Sequence, residues 1–320
     1  MLRRNLLRAL GALPLSFSAL PPALAAAAGS GRITISAADA SGQYGSVTVP
    51  ANPKRLAVAD FAVLDTLDRW GLGSRVAGLT KQQRLPYLSR YFERKNGIED
   101  LGSLREIDLE RLMSLEPDVI FASARLRRKF AELNRIAPVV CLPVDWAAGD
   151  LSSFVRITKT LGALFGAESK ARSDIEAVQK RVHRISARAR GRTALIGMVT
   201  SAHVNLLGDR SRCSLIGRDL GFKNLAGSAN ATHGVESSFE LILKLNPEYF
   251  FVLDRDSAIG RQGAKLARDV LDNELIASTR AARQKKIIYL NAAAWYLSEG
   301  GVQSMNLMLD DVAGALGMKA

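Results

Sequence analysis

Two arginines and two glutamates occupy matched places in the two halves of this sequence, and their chemistry can be named first. The stretch Leu109–Phe121 parallels Phe239–Phe251: each reads as a short amphipathic helix, a proline turn at Pro117 or Pro247, and a strand. Glu110 and Glu240 fall at the helix starts, and Arg125 and Arg255 fall just beyond the strands, both pairs at the same offset of 130 residues. Ligands of open α/β sheets bind outside the carboxyl ends of the strands. Arg125 and Arg255 are therefore expected to face a cleft between two lobes and to offer two guanidinium forks to an anion. Glu110 and Glu240 have two readings. Either they are helix N-terminal charges, each favoured by about a few tenths of a kcal/mol, or they are a symmetric pair of acidic knobs that dock on a basic partner.

Such residues need strands and helices to place them. Asn52-Pro53-Lys54-Arg55 leads into a short buried strand, Leu56–Ala59, followed by a helix over Phe61–Trp70 that stops at Gly71. Strands are expected at Val76–Leu79, Val119–Ala122 and Val139–Leu142, with helices at Asp108–Leu115 and Phe130–Ile136 between them. That alternation implies parallel βα units. From Leu151 to Arg190 there is no proline, and apolar residues from Phe154 to Val182 recur at helical spacing. This segment is expected to be one long helix, kinked near Gly166, linking the lobes. The alternation resumes with strands at Ala194–Val199, Tyr249–Leu253 and Lys286–Leu290, and helices at Arg212–Leu220, Phe239–Leu245 and Met305–Leu316. The resulting organisation is a leader over 1–28, an N-terminal α/β lobe over 29–150, a connecting helix over 151–190 and a C-terminal α/β lobe over 191–320.

Composition narrows the function classes. The chain has 320 residues, 48% hydrophobic and 23% charged, which is a globular composition. Its formal net charge of +13 raises nucleic acid, a membrane surface or an anionic small ligand as partners. Arg3, Arg4 and Arg8, the apolar run Ala9–Leu24 and the small residues Ala23–Ala28 have the order of a secretory signal peptide. Arg3-Arg4 also resembles a twin-arginine export signal. Removing it takes away three arginines and no acid, so +13 becomes +10. Export argues against nucleic acid. With no cysteine near the cleavage region, the mature chain is expected to be soluble in the periplasm. Cys141 and Cys213 lack CxxC or Cys/His metal spacing; export permits a disulfide, and two unpaired thiols are the plainer expectation. A hydrolase finds little support, since neither a Gly-x-Ser-x-Gly elbow nor a His-Glu-x-x-His site occurs.

These features together resemble the substrate-binding proteins of iron–siderophore ABC transporters, and most closely the branch that binds ferric catecholates. The segments that carry the resemblance are Phe61–Leu67, Gly102–Glu106, Thr232-His233-Gly234, Asp254–Gly260, Leu271–Leu275 and Ala294–Ser298, continuing through Gly300–Asn306. The resemblance spans about Val49 to the C-terminus. It implies an α/β fold of two Rossmann-like lobes joined by one long α-helix, the class III periplasmic binding protein with a helical backbone. The implied function is binding, not catalysis: capture of a ferric catecholate siderophore in the cleft and delivery to an inner-membrane permease. Haem, a corrinoid or a hydroxamate siderophore are the alternative ligands on the same fold.

The resemblance also implies roles. His233 and Tyr296 would complete the shell of Fe(III) when the siderophore supplies too few oxygens, a phenolate being a hard donor and imidazole a common iron ligand. Arg125, Arg212 and Arg255 would contact the anionic complex, Arg212 from the start of its expected helix, where the dipole also favours anions. Glu110 and Glu240 would dock on permease arginines. No cofactor is permanently bound, and Fe(III) arrives with the ligand. The protein is expected to act as a monomer. Tyr87 could line the cleft or simply pack, His203 could approach it, and His183 is expected to be solvated.

Overall fold

The computed structural model describes residues 31–229 and 233–318, so the leader of 1–28 lies outside the described residues. The first lobe is a five-stranded parallel sheet ordered Glu99–Asp100, Val76–Leu79, Leu56–Ala59, Val119–Ala122 and Val139–Val140. Every residue of Leu56–Ala59 and Val119–Ala122 is buried, as a parallel sheet covered on both faces requires. Asp60 caps the following helix, Phe61–Arg69, by accepting from Ala62 N. An antiparallel hairpin, Arg32–Ala38 with Tyr44–Pro50, precedes this sheet and has no counterpart among the expected elements.

The second lobe is built on Thr193–Thr200, which pairs in parallel with Tyr249–Asp254, itself parallel to Ile287–Tyr289. Its other edge is antiparallel, through His203–Leu206 and then Val235–Ser237. The second lobe is thus a mixed sheet, a variation on the all-parallel first one. The repeat read in the sequence is present in detail. Leu109–Leu115 and Phe239–Leu245 are both seven-residue helices capped by a side chain, Asp108 or Ser238. Both end on a left-handed residue, Glu116 at φ 47° and Asn246 at φ 43°, before the proline and the strand.

The segment expected as one helix is two, Asp150–Phe165 and Glu168–Ala189. Gly166 sits at φ 63° and ends the first. The turn is tight: a Cβ on Gly162 would meet the Ala171 Cβ at 2.8 Å, a proximity a continuous helix would not allow. The crossing element is therefore Glu168–Ala189, which buries Ile175, Val178, Val182 and Ile185 along one stripe. Its start is fixed to the first lobe, where Asp174 accepts from the Trp70 indole at 2.8 Å.

The C-terminal helix, Val302–Ala315, packs back across the assigned boundary of the second lobe, against Phe61–Arg69 and the crossing helix. Asp65 makes that junction. It is fully buried and accepts from Tyr87 Oη at 2.7 Å, Gln303 N at 2.6 Å and Ser304 N at 2.8 Å, satisfying the open N-terminus of the last helix. Gly301 is required there, because a Cβ would lie 2.7 Å from the Asp65 carboxyl. The lobes are thus linked by the crossing helix and by this return segment. Such a frame predicts modest closure on ligand binding, checked by small-angle scattering with and without ligand; a large compaction would count against it.

Burial pushes the Asp65 carboxyl from 3.8 up to about 7. A raised carboxyl binds its proton more tightly in the folded state. Its stabilising contribution is full below the unfolded value and is lost as pH rises through about 7, a loss of up to about 4 kcal/mol. Asp60, Asp150, Asp219 and Asp311 are raised by the same cause. The wild-type melting temperature should fall between mildly acidic and neutral pH, and Asp65→Asn should flatten that slope. Equal slopes in the two proteins would contradict this reading of Asp65.

Cys141 and Cys213 are buried and unpaired, as the plainer expectation held. Burial pushes the Cys141 thiol up to about 12, which makes it inert. A thiol reagent should label neither cysteine in the folded chain and both after unfolding. Labelling of the native protein would contradict this.

Candidate ligand site between the lobes

Tyr296 is the centre of the site. It lies on a π-helical turn, Ala293–Leu297, at the entry to the return segment, and is almost fully buried. Three arginines surround its ring. The guanidinium carbons of Arg125, Arg212 and Arg255 stand 5.5, 4.6 and 5.7 Å from the ring centroid. Arg255 Nε donates to the phenol oxygen at 2.9 Å, and Arg125 donates to the Tyr296 carbonyl at 3.1 Å. Arg125 is the second residue of a 3-10 turn, Ala124–Lys129, after strand Val119–Ala122. Arg255 opens the short helix Arg255–Ala258 after Tyr249–Asp254. The two lobes thus each contribute one arginine, from matching strand ends, to one tyrosine.

Arg212 arrives differently from expectation. Arg212–Leu220 is not a regular helix; Arg212 sits in a turn before a π-helical segment, Leu215–Asp219. Cys213 lies in the left-handed region at φ 64°, reversing the chain beside it. Helix-dipole support for an anion is therefore withdrawn at this position, because a five-residue π turn aligns too few peptides. Arg212 has a direct counter-ion instead. Its Nη1 lies 2.6 Å from Glu299 Oε2, and both side chains are buried. The Trp146 indole donates to the same carboxylate oxygen at 3.1 Å, and the Arg212 guanidinium stacks 4.7 Å from the Trp146 ring.

A cavity of about 390 Å³ opens onto this cluster, its wall including Arg105, Arg125, Arg212, His233, Tyr296 and Glu299. Arg255 stands behind that wall, reaching the site through Tyr296. His233 is exposed at the rim, next to the undescribed Thr232. Partial burial, and then the positive field of Arg255, Arg212, Arg105 and Arg125, lowers its pKa, so its imidazole is neutral near pH 7 and keeps a lone pair for a metal. No cluster of three or more His, Cys, Asp or Glu suited to a metal occurs among the described residues. What the site offers a ligand is a phenol oxygen, one imidazole and a group of cations.

Of the residues singled out by sequence, Arg125, Arg212, Arg255, His233 and Tyr296 come together here. Glu110 and Glu240 do not: they are exposed in the first turns of their helices. Hydrogen bonds from its own backbone N–H and the Ser238 hydroxyl lower the Glu240 carboxyl. Tyr87 packs away from the cavity, bonded to Asp65 and Ser298. His203 pairs with Glu236 on the surface, at 2.9 Å. Arg105, Trp146 and Glu299 were not expected. Arg105 lies within one of the segments that carry the family resemblance. Glu299 and Trp146 gave no sequence signal, since they meet across 153 residues.

Two lobes, a helical crossing and a cationic cleft define a bilobal ligand-binding protein. The periplasmic binding protein family model matches residues 56–294, and the chain belongs to that family. It is 36% identical over 271 residues to the petrobactin-binding protein YclQ of Bacillus subtilis, covering 84% of each chain. The YclQ crystal structure superposes with a TM-score of 0.83 at 33% identity, covering 90% of this chain and all of that one. The periplasmic catecholate-siderophore binding protein VctP of Vibrio cholerae gives 0.80 at 26% identity, covering 88% of this chain and 100% of VctP. The ferric-anguibactin-binding protein FatB of Vibrio anguillarum is 26% identical over 275 residues, 84% of each chain. The family is one of binding proteins, and no described helix is long and apolar enough to cross a membrane.

Proposed function

We propose that this protein captures a ferric catecholate siderophore in the inter-lobe cavity and delivers it to an inner-membrane ABC permease for iron uptake. The observation that carries the reading is the convergence of Arg125, Arg212 and Arg255 on Tyr296, with His233 at the rim. Catecholate charge outweighs that of ferric iron, so the complex is anionic, and arginine serves it as cation and as hydrogen-bond fork. Relatives named for petrobactin, catecholate siderophore and ferric anguibactin support the ligand class. Tyr296 Oη and His233 supply donors to an iron left short of oxygens. The leader over 1–28 directs export, the mature chain works as a soluble periplasmic monomer, and neither catalysis nor nucleic acid enters.

Intrinsic tryptophan fluorescence across a ligand panel tests this, because Trp146 lies against Arg212 and Trp295 adjoins Tyr296. Ferric bis- and tris-catechol chelators should quench at least about 100-fold more tightly than a ferric hydroxamate, haem or a corrinoid, a difference of roughly 3 kcal/mol. Preference for any of the other three would overturn the catecholate assignment. Glu110 and Glu240 carry the permease contact in this reading. The Glu110→Gln/Glu240→Gln protein should bind the chelates as wild type does but fail to support iron uptake in cells. Normal uptake would remove the docking role.

A further inference from the structure

The cavity assembled for an anion carries a carboxylate of its own, set against its most buried arginine. Glu299 lines the wall, lies 2.6 Å from Arg212 and accepts from Trp146 and from the Cys213 backbone N–H, yet the buried Arg212 Nε makes no hydrogen bond among the described residues. A buried ion pair kept for stability is expected to have its remaining donors and acceptors satisfied. This one is left open. A second buried carboxyl, Asp150, adds to its cost. The charged side chains on the cavity wall are Arg105, Arg125, Arg127 and Arg212 against Asp60 and Glu299, a formal surplus of two. Without Glu299 the surplus would be three, matching a fully deprotonated ferric tris-catecholate trianion. With it, the wall matches a ligand of lower charge, such as a ferric complex with only two catecholates whose iron shell the protein must complete.

We propose that Glu299 is a specificity-determining residue, a built-in counter-anion that sets the ligand charge the cavity prefers by cancelling Arg212. This rests on the catecholate reading above. The short contact with Arg212 has the geometry of a charge-assisted pair, and its pull opposes the burial that disfavours the charged carboxylate. It sits where a ligand anion would feel it, on the wall shared with Arg125 and Tyr296. Arg105, Arg125 and Arg127 on the same wall provide the attraction; Arg212 and Glu299 together provide the limit.

The test holds shape constant and changes charge alone. One tris-catechol chelator is loaded with Ga(III), giving a trianion, or with Ti(IV), giving a dianion, and each complex is titrated calorimetrically. Wild type should bind the trianion no more than about threefold more tightly than the dianion. Glu299→Gln should move the ratio toward the trianion by roughly tenfold, the scale of one added unit charge several ångströms away at an intermediate dielectric. Arg212→Gln/Glu299→Gln, which restores the surplus of two, should bring the ratio back toward wild type. An unchanged ratio in a folded Glu299→Gln protein overturns the charge filter alone. A wild-type preference for the trianion above about 30-fold does the same and needs no variant. If wild type binds neither complex, the catecholate reading fails and the filter with it.

Discussion

Arg212→Ala is expected to lower folding stability by about 3–5 kcal/mol, the usual cost of removing one partner of a buried ion pair. At a chain of this size that corresponds to a fall in melting temperature of roughly 6–15 °C. The reason is what remains. Glu299 would keep a buried carboxylate beside Asp150, with the Trp146 indole as its principal remaining side-chain donor. Burial already pushes the Glu299 carboxyl up against the pull of Arg212, so losing that pull exposes the whole desolvation cost. Adding Glu299→Gln should recover most of the loss, because a neutral amide can keep the Trp146 bond. Thermal melts of the single and double variants check this; a double variant no more stable than Arg212→Ala would show that the pair is not the source.

The largest effect on ligand affinity is expected from Arg125→Gln combined with Arg255→Gln, one substitution in each lobe. A hydrogen bond to a charged group contributes about 1.5–3 kcal/mol, so losing Arg125 from the wall and the Arg255 bond that orients the Tyr296 phenol should together cost roughly 10²–10⁴-fold in affinity for a ferric catechol chelate. The fold should survive. Arg125 donates to a backbone carbonyl, and Asp256, the acidic partner of Arg255, keeps Ser201 N at 2.6 Å and Arg261 at 3.6 Å. Since both guanidinium groups flank one phenol, the single variants should not add independently. A double variant that binds within about threefold of wild type would remove the arginines from ligand recognition.

Much of this site was legible in the sequence because it is repeated there. The helix–proline–strand unit recurs at a fixed offset, and a strand's end is where a ligand meets an α/β sheet. Arg125 and Arg255 could therefore be placed from pattern alone, and the structure brings both to Tyr296, one at its carbonyl and one at its phenol oxygen. Arg212, His233 and Tyr296 came from resemblance in short motifs, since a lone loop histidine carries no such pattern. What stayed hidden depends on tertiary contact. Glu299 reads as one more acid after a serine, and its meaning comes from Arg212, 87 residues away. The break at Gly166 was visible as a kink, but helical periodicity runs through it and cannot tell a kink from a reversal. The hairpin Arg32–Pro50 and the antiparallel edge of the second sheet were missed because strand pairing is set by partners distant in sequence.

The most direct test of the account is the visible spectrum of a ferric bis-catechol chelate as the protein is added. Two catecholates leave the iron short of donors, and Tyr296 and His233 are proposed to supply them. A new phenolate ligand should shift and intensify the charge-transfer band on binding. Tyr296→Phe keeps the ring among its three arginines but removes the donor oxygen, so it should bind without that shift, and His233→Ala should give a third, distinct spectrum. A wild-type complex whose spectrum matches the free chelate, with both variants binding equally tightly, would contradict the proposal that this cavity completes the coordination of iron.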